Sequence, residues 1–103
     1  MKGDPFSQDV YSMCKRIPYG RVTTYGLIAQ SLGKPQSARL VGWTLNQCPV
    51  NIPAHRVVNR LGLLSGKDYF EAPDRMAQML QSEGISIIKN KIQNFEKVLW
   101  IPK

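Results

Sequence analysis

Residues 17–45, IPYGRVTTYGLIAQSLGKPQSARLVGWTL, decide the fold. Pro18 and Gly20 interrupt what precedes them, because proline removes a backbone donor and glycine favours a turn. VTTYGLIAQSLG then reads as a helix: a threonine caps it, Leu27, Ile28 and Leu32 face inward, and Gly33 ends it. KPQ makes a short turn. Ser37 caps a further helix, SARLVGWTLNQ, in which Leu40, Val41, Thr44 and Leu45 recur at helical spacing. Two helices joined by so short a turn outline a helix-turn-helix.

The flanks extend this outline. Upstream, Phe6, Val10, Met13 or Cys14, and Ile17 predict an amphipathic helix from Pro5 to about Arg16, with a proline near its start and basic residues in its last turn. Downstream, the loop from Cys48 to Pro53 holds two prolines, and HRVVNRLGLLSG predicts a small hairpin around Arg60 to Gly62. Pro73 starts another helix, through Met76, Met79 and Leu80 to a stop at Gly84. In the tail, Ile92, Phe95 and Leu99 allow a helical turn, while KVLWIP allows a strand. The expected class is mostly α with a small β-hairpin, an α+β chain forming a winged helix-turn-helix as one domain over residues 1–103. In that architecture SARLVGWTLN is the helix that approaches DNA. A small α+β domain with no nucleic-acid role fits the same pattern.

Charge sharpens the choice of partner. Fourteen Lys and Arg against seven Asp and Glu leave a formal charge of +7 and a pI near 9.7. No acid lies between Asp9 and Asp68, a stretch that carries Lys15, Arg16, Arg21, Lys34, Arg39, Arg56, Arg60 and Lys67. Such an excess favours a polyanion, because each phosphate neutralised releases condensed counterions; a generically basic, soluble surface is the plainer alternative. Two cysteines, Cys14 and Cys48, form no metal or disulfide spacing, and one histidine makes a zinc site unexpected, so no metal or cofactor is predicted. No run of about 18 apolar residues spans a membrane. MKGDPFSQDV has no apolar h-region, so a cytoplasmic location is expected, nucleoid-associated if the source is bacterial.

Three stretches carry more than pattern: P-x-G-x-V-T-T-Y-G, then A-R-x-V-G, then I-P-x-H-R-V-V, followed by LQSEG. Together they closely resemble the DNA-binding domain of O6-alkylguanine-DNA alkyltransferases, from about Ile17 to Gly84. Those enzymes have cysteine between the proline and histidine of the last motif. Here the residue is Ala54, and the sequence resembles the alkyltransferase-like subgroup, which binds damaged DNA without repairing it. The chain's length fits the absence of the enzymes' additional N-terminal domain. Alkyl transfer needs a thiolate; a methyl group offers neither lone pair nor proton. No catalytic residue is therefore expected, and His55 and Glu83, which match the enzymes' thiol-activating relay, are read as retained scaffold.

The resemblance also implies roles at other positions. Arg39 matches an arginine finger that fills the space left by an extruded nucleotide; the plain reading is a helix arginine on a phosphate. Tyr25 matches the tyrosine that presses on the neighbouring phosphate and helps rotate the nucleotide out; the plain reading is a core aromatic. Thr23, Thr24, Ser37 and Ala38 complete the implied DNA-binding set, with Thr23 and Thr24 equally readable as capping groups. The implied lesion pocket is Tyr25, Pro53, Ala54, His55, Arg56, Val57 and Lys67. Lys67 either contacts the extruded guanine or sits in solvent. Three departures from the enzymes stand out: Cys48 where they place asparagine, a shortened loop to Ile52, and Leu64 where many carry a pocket tyrosine. Trp43 and Trp100 could stack on bases, but core packing is the role expected of both.

Extruding a nucleotide costs a few kcal/mol, least where pairing is already damaged. An O6 substituent removes the N1 proton and the acceptor geometry of guanine pairing, and insertion from the minor groove bends the duplex. The implied function is a monomeric sensor of O6-alkylguanine in double-stranded DNA that directs lesions to nucleotide excision repair proteins. The space opened by Ala54 is expected to admit bulkier adducts than a cysteine would. Two other classes remain open: an alkyltransferase using another thiol, and a winged-helix regulator of undamaged DNA.

Overall fold

The computed structural model describes residues 4–103; residues 1–3 of the N-terminal stretch read above lie outside it. The Asp4 carboxylate starts α1 (Pro5–Lys15) by accepting the Ser7 amide and the Ser7 hydroxyl, each at 2.9 Å. The inner face of α1 buries Val10, Tyr11, Met13 and Cys14. β1 (Thr23–Thr24) runs directly into α2 (Tyr25–Ser31), where the Thr24 hydroxyl accepts the Leu27 amide at 3.0 Å as an N-cap. α3 (Ala38–Asn46) follows a short turn and packs on both α1 and α2.

α3 departs from the sequence reading in two respects. Ser37 precedes it, but the backbone there (φ −104°, ψ 22°) is not the extended form that capping uses, and its side chain makes no capping bond. The buried stripe is Val41, Thr44 and Leu45, while Leu40 and Trp43 turn outward at 46% and 61% exposure. Trp43 lies about 200° around the helix from Val41, so the stripe that buries one exposes the other. Trp100, by contrast, packs against the core as expected.

A 3-10 turn (Ala54–Arg56) leads into β2 (Val57–Val58), which pairs in parallel with β1 through Thr23↔Val57 and Thr24↔Val58. Successive strand residues point to opposite faces. Val57 enters a core with Val10, Cys14, Ile28, Val41 and Leu45, and Val58 enters a second with Val22, Leu64, Met76, Leu80 and Ile92. The two-residue ladder is a wall common to both. Leu64, at 2% exposed, belongs to this second core.

The antiparallel hairpin lies further along than the sequence suggested. After the turn at 59–63, closed by the Asn59 amide on the Leu63 carbonyl at 3.1 Å, Leu63 bridges Lys91. Beyond α4 (Arg75–Ser82), β3 (Ile87–Ile88) and β4 (Lys91–Ile92) form the hairpin itself, and the Ile92 amide donates to the Gly62 carbonyl at 2.9 Å. Both readings of the tail are realised in turn. α5 (Phe95–Val98) is one helical turn, and Leu99 then bridges Val22. No helix among the described residues is long and apolar enough to cross a membrane.

Gly62 is the position where this arrangement depends on a missing side chain. Its φ is +80°, and an added Cβ would stand 3.2 Å from the Phe95 ring. Gly62→Ala is expected to lower stability by about 1–2 kcal/mol from the left-handed backbone alone, with the Phe95 contact adding to it. A shift of the urea midpoint to lower concentration at unchanged slope is the expected reading.

Candidate nucleic-acid interface

The turn that carries Ala54 is held by one carboxylate. Glu83 caps the end of α4 with its side chain 5% exposed, and its Oε1 accepts the Gly20 amide at 2.7 Å. His55 Nε2 lies 2.7 Å from Oε2, and Arg56 Nε donates to both oxygens at 3.0 Å. Arg56 Nη1 continues to the Ile17 carbonyl at 3.0 Å, and the guanidinium lies 5.7 Å from the centre of the Tyr19 ring. An ionised Glu83 can only accept, so the His55 proton resides on Nε2. Nδ1 is left as a buried lone pair with no hydrogen-bond partner among the described residues.

Burial pushes the His55 imidazole below its usual 6.5, and the bond to Glu83 opposes this only in part. For Glu83, burial pushes upward, but the bonds from Gly20, His55 and Arg56 outweigh it and hold the carboxyl below 4.5. At neutral pH the set is therefore a neutral imidazole between a carboxylate and a cavity.

That cavity measures about 320 Å³ and is lined by Ala54, His55, Cys48, Met79, Arg75 and Tyr69, among others. Beside it lies a second hollow of about 210 Å³, bounded by Tyr25, Ala38, Arg39, Trp43 and Gly66. Asn46 and Tyr69 line both and join them. Tyr25 fits only because residue 66 is glycine: a Cβ there would stand 2.7 Å from the phenol oxygen. Burial pushes the Tyr25 phenol up, with a partial offset from Ser65.

Of the residues singled out in the sequence, Ala54 and His55 line the larger cavity, and Tyr25, Ala38 and Arg39 line the hollow beside it. Arg39 is exposed in the first turn of α3 and makes no ion pair among the described residues. Pro53, Arg56, Val57 and Lys67 line neither space. Arg56 is committed to Glu83 and Ile17, Val57 is fully buried, and the Lys67 ammonium lies 3.4 Å from the Asp68 carboxylate. Thr23 is also displaced from the expected surface set: the ladder with Val57 turns it inward to 0% exposure, with its hydroxyl unpartnered. Thr24 is spent on its cap.

Several lining residues fall outside the expected DNA-binding and pocket sets, among them Cys48, Asn46, Trp43 and Tyr69. Trp43 had a usable signal, its place opposite the Val41, Thr44, Leu45 stripe. The other three are brought in by chain folding alone. Cys14 is fully buried and its thiol is pushed up to about 12 by burial; burial raises the Cys48 thiol as well.

The sole imidazole of the chain makes the electrostatics measurable. Proton NMR is expected to show a titration midpoint below 6.5, falling further in Glu83→Gln as the neighbouring negative charge is lost. Both groups carry depressed folded-state values, so both bind protons less readily in the native state. Their stability contribution is complete above the unfolded values, and declines as pH falls below 6.5 for His55 and below 4.5 for Glu83. Urea melts at descending pH check that sign.

Comparison with known proteins agrees with this geometry. The family model described as 6-O-methylguanine DNA methyltransferase, DNA binding domain, matches residues 5–85. Alkyltransferase-like protein 1 of Schizosaccharomyces pombe is 34% identical over 108 residues, covering 99% of this chain and 100% of the relative. The DNA base-flipping protein of Escherichia coli K12 is 38% identical over 103 residues, covering 96% of this chain and 77% of its own. The crystal structure of S. pombe Atl1 in complex with damaged DNA containing O6-carboxymethylguanine superposes with a TM-score of 0.85 at 35% identity, covering 99% of this chain and 100% of that one. With its helix-turn-helix, its Ala54 turn and these matches, the chain belongs to the 6-O-methylguanine DNA methyltransferase DNA-binding-domain family.

Proposed function

We propose that this protein binds O6-alkylguanine in duplex DNA, rotates the damaged nucleotide into the Ala54 cavity, and holds it without transferring the alkyl group. The observation that carries the reading is Ala54 itself, lining a cavity beside an intact His55–Glu83 pair. Every part of the relay stands except the atom it would activate. Neither cysteine substitutes for it. Cys14 is sealed in the core with its thiol pushed up to about 12, and burial moves the Cys48 thiol, which lines the cavity, further from its thiolate form.

The remaining residues supply binding. The net charge of +7 draws the chain to the duplex, and α3 presents Arg39 at its first turn. Arg39 fills the vacated place in the stack while Tyr25, braced over Gly66, turns the phosphate backbone beside it. The relatives point the same way: one is named a DNA base-flipping protein, and another is bound to DNA containing O6-carboxymethylguanine. Because the alkyl group stays on the base, its removal falls to a process that cuts out the nucleotide. We assign hand-over to nucleotide excision repair proteins on that ground, with the protein acting as a monomer.

A competition titration at fixed salt decides between this reading and its rivals. Wild type is expected to prefer a duplex with O6-methylguanine over the matched normal duplex, and Arg39→Ala to lose about 10- to 100-fold of that preference, commensurate with the cost of flipping. Equal affinity for both duplexes would favour a regulator of undamaged DNA. A covalent mass gain on the protein after incubation would identify an alkyltransferase.

The cavity beside Ala54 sets a second expectation, on adduct size. Ala54→Val fills that space without adding a nucleophile. Binding to O6-methyl, ethyl and propyl duplexes is expected to hold or improve along the series in wild type. In the variant it should fall by about fourfold per added CH2, the equivalent of one buried methylene. Parallel trends in the two proteins would place the substituent elsewhere.

A further inference from the structure

Two large aromatic side chains stand in solvent beside the site, and packing accounts for neither. Trp43 and Tyr69 are each 61% exposed. Both line the hollow that holds Arg39 and Tyr25, and Tyr69 also lines the Ala54 cavity. Trp43 follows Arg39 by one turn of α3, about 6 Å along the axis. This hollow holds Arg39 and shares Asn46 and Tyr69 with the cavity at Ala54. Trp43 borders it from α3, and Tyr69 from the 3-10 turn Lys67–Tyr69.

We propose that Trp43 and Tyr69 form an aromatic clamp that stacks on the extruded nucleotide between the duplex and the Ala54 cavity. The proposal rests on the flipping reading above. An extruded base loses stacking on both faces; Arg39 restores contact inside the duplex but offers nothing to the base that has left. Aromatic rings stack on any base, whatever its substituents. The clamp therefore adds affinity for the extruded state as such, and discrimination among adducts stays with the cavity at Ala54. Its exposure in the free protein follows, since the surface that covers it arrives with the DNA.

Exposure also makes the test clean, because Trp43→Ala removes no core contact. Binding is measured to three duplexes that differ at one position: O6-methylguanine, normal guanine, and an abasic tetrahydrofuran site. Trp43→Ala is expected to weaken the O6-methylguanine complex about tenfold, in the range of base–aromatic stacking, with Trp43→Phe recovering part of the loss. Tyr69→Ala is expected to act the same way. The normal and abasic duplexes should bind the variants as they bind wild type, since neither places a base in the clamp. An equal loss on all three duplexes would make Trp43 a general groove contact, and no loss on O6-methylguanine would remove its role; either overturns the clamp. If wild type shows no preference for O6-methylguanine over guanine, the flipping reading fails and the clamp falls with it, a pattern distinct from the other two.

Discussion

A single buried carboxylate organises the functional half of this molecule. Glu83 ends α4, yet its bonds reach Gly20 before β1 and His55 and Arg56 ahead of β2, so three segments distant in sequence meet on two oxygen atoms. Placing an anion at 5% exposure is costly, and such a pair often stabilises no more than well-packed apolar side chains would. What it supplies is direction. An apolar cluster would tolerate rotation of the Ala54–Arg56 turn, whereas a carboxylate with donors at 2.7–3.0 Å fixes it. The position of Ala54 relative to α3 follows from that restraint and from the β1–β2 ladder that begins one residue after Arg56.

Direction also explains why a relay without a nucleophile is not idle. In an enzyme of this family the histidine would take a proton from a thiol. Here the imidazole is neutral, its basicity reduced by burial, and its buried Nδ1 has no hydrogen-bond partner among the described residues. The same bonds that would tune a catalyst serve here to hold the wall of a cavity in place.

The sequence disclosed elements whose signals are local. A threonine caps α2 as its position suggested, the periodic runs of α1 and α4 are where spacing put them, and the IPAHRVV motif drew attention to Ala54. What escaped was non-local or too short to have a period. Thr23 and Val57 pair across more than thirty residues in two-residue strands, so no alternation could announce the ladder. That ladder buried Thr23, which the motif alone had suggested for the surface. The hairpin moved because Leu63 found its partner in Lys91 rather than across its own turn. Asn46 and Cys48, at and just beyond the end of α3, and Tyr69, from the turn Lys67–Tyr69, reach the cavity from two different segments, and only folding unites them. Trp43 was legible but misread: its hydrophobicity argued for the core, while its phase on the helix argued against it.

On the proposed reading, a methyl group at position 54 in place of a thiol alters what the rest of the site must accomplish. An enzyme that forms a covalent bond needs the extruded nucleotide only long enough for transfer. A protein that stops at recognition keeps its complex only as long as non-covalent contacts last, so its usefulness as a signal is set by the dissociation rate. Contacts made only with the extruded base slow dissociation of the damaged complex without strengthening attachment to normal DNA. Positive charge cannot do this, because phosphates are the same in both. Stacking surfaces and an open cavity can, and Trp43 and Tyr69 border the hollow that holds Arg39 and adjoins the Ala54 cavity.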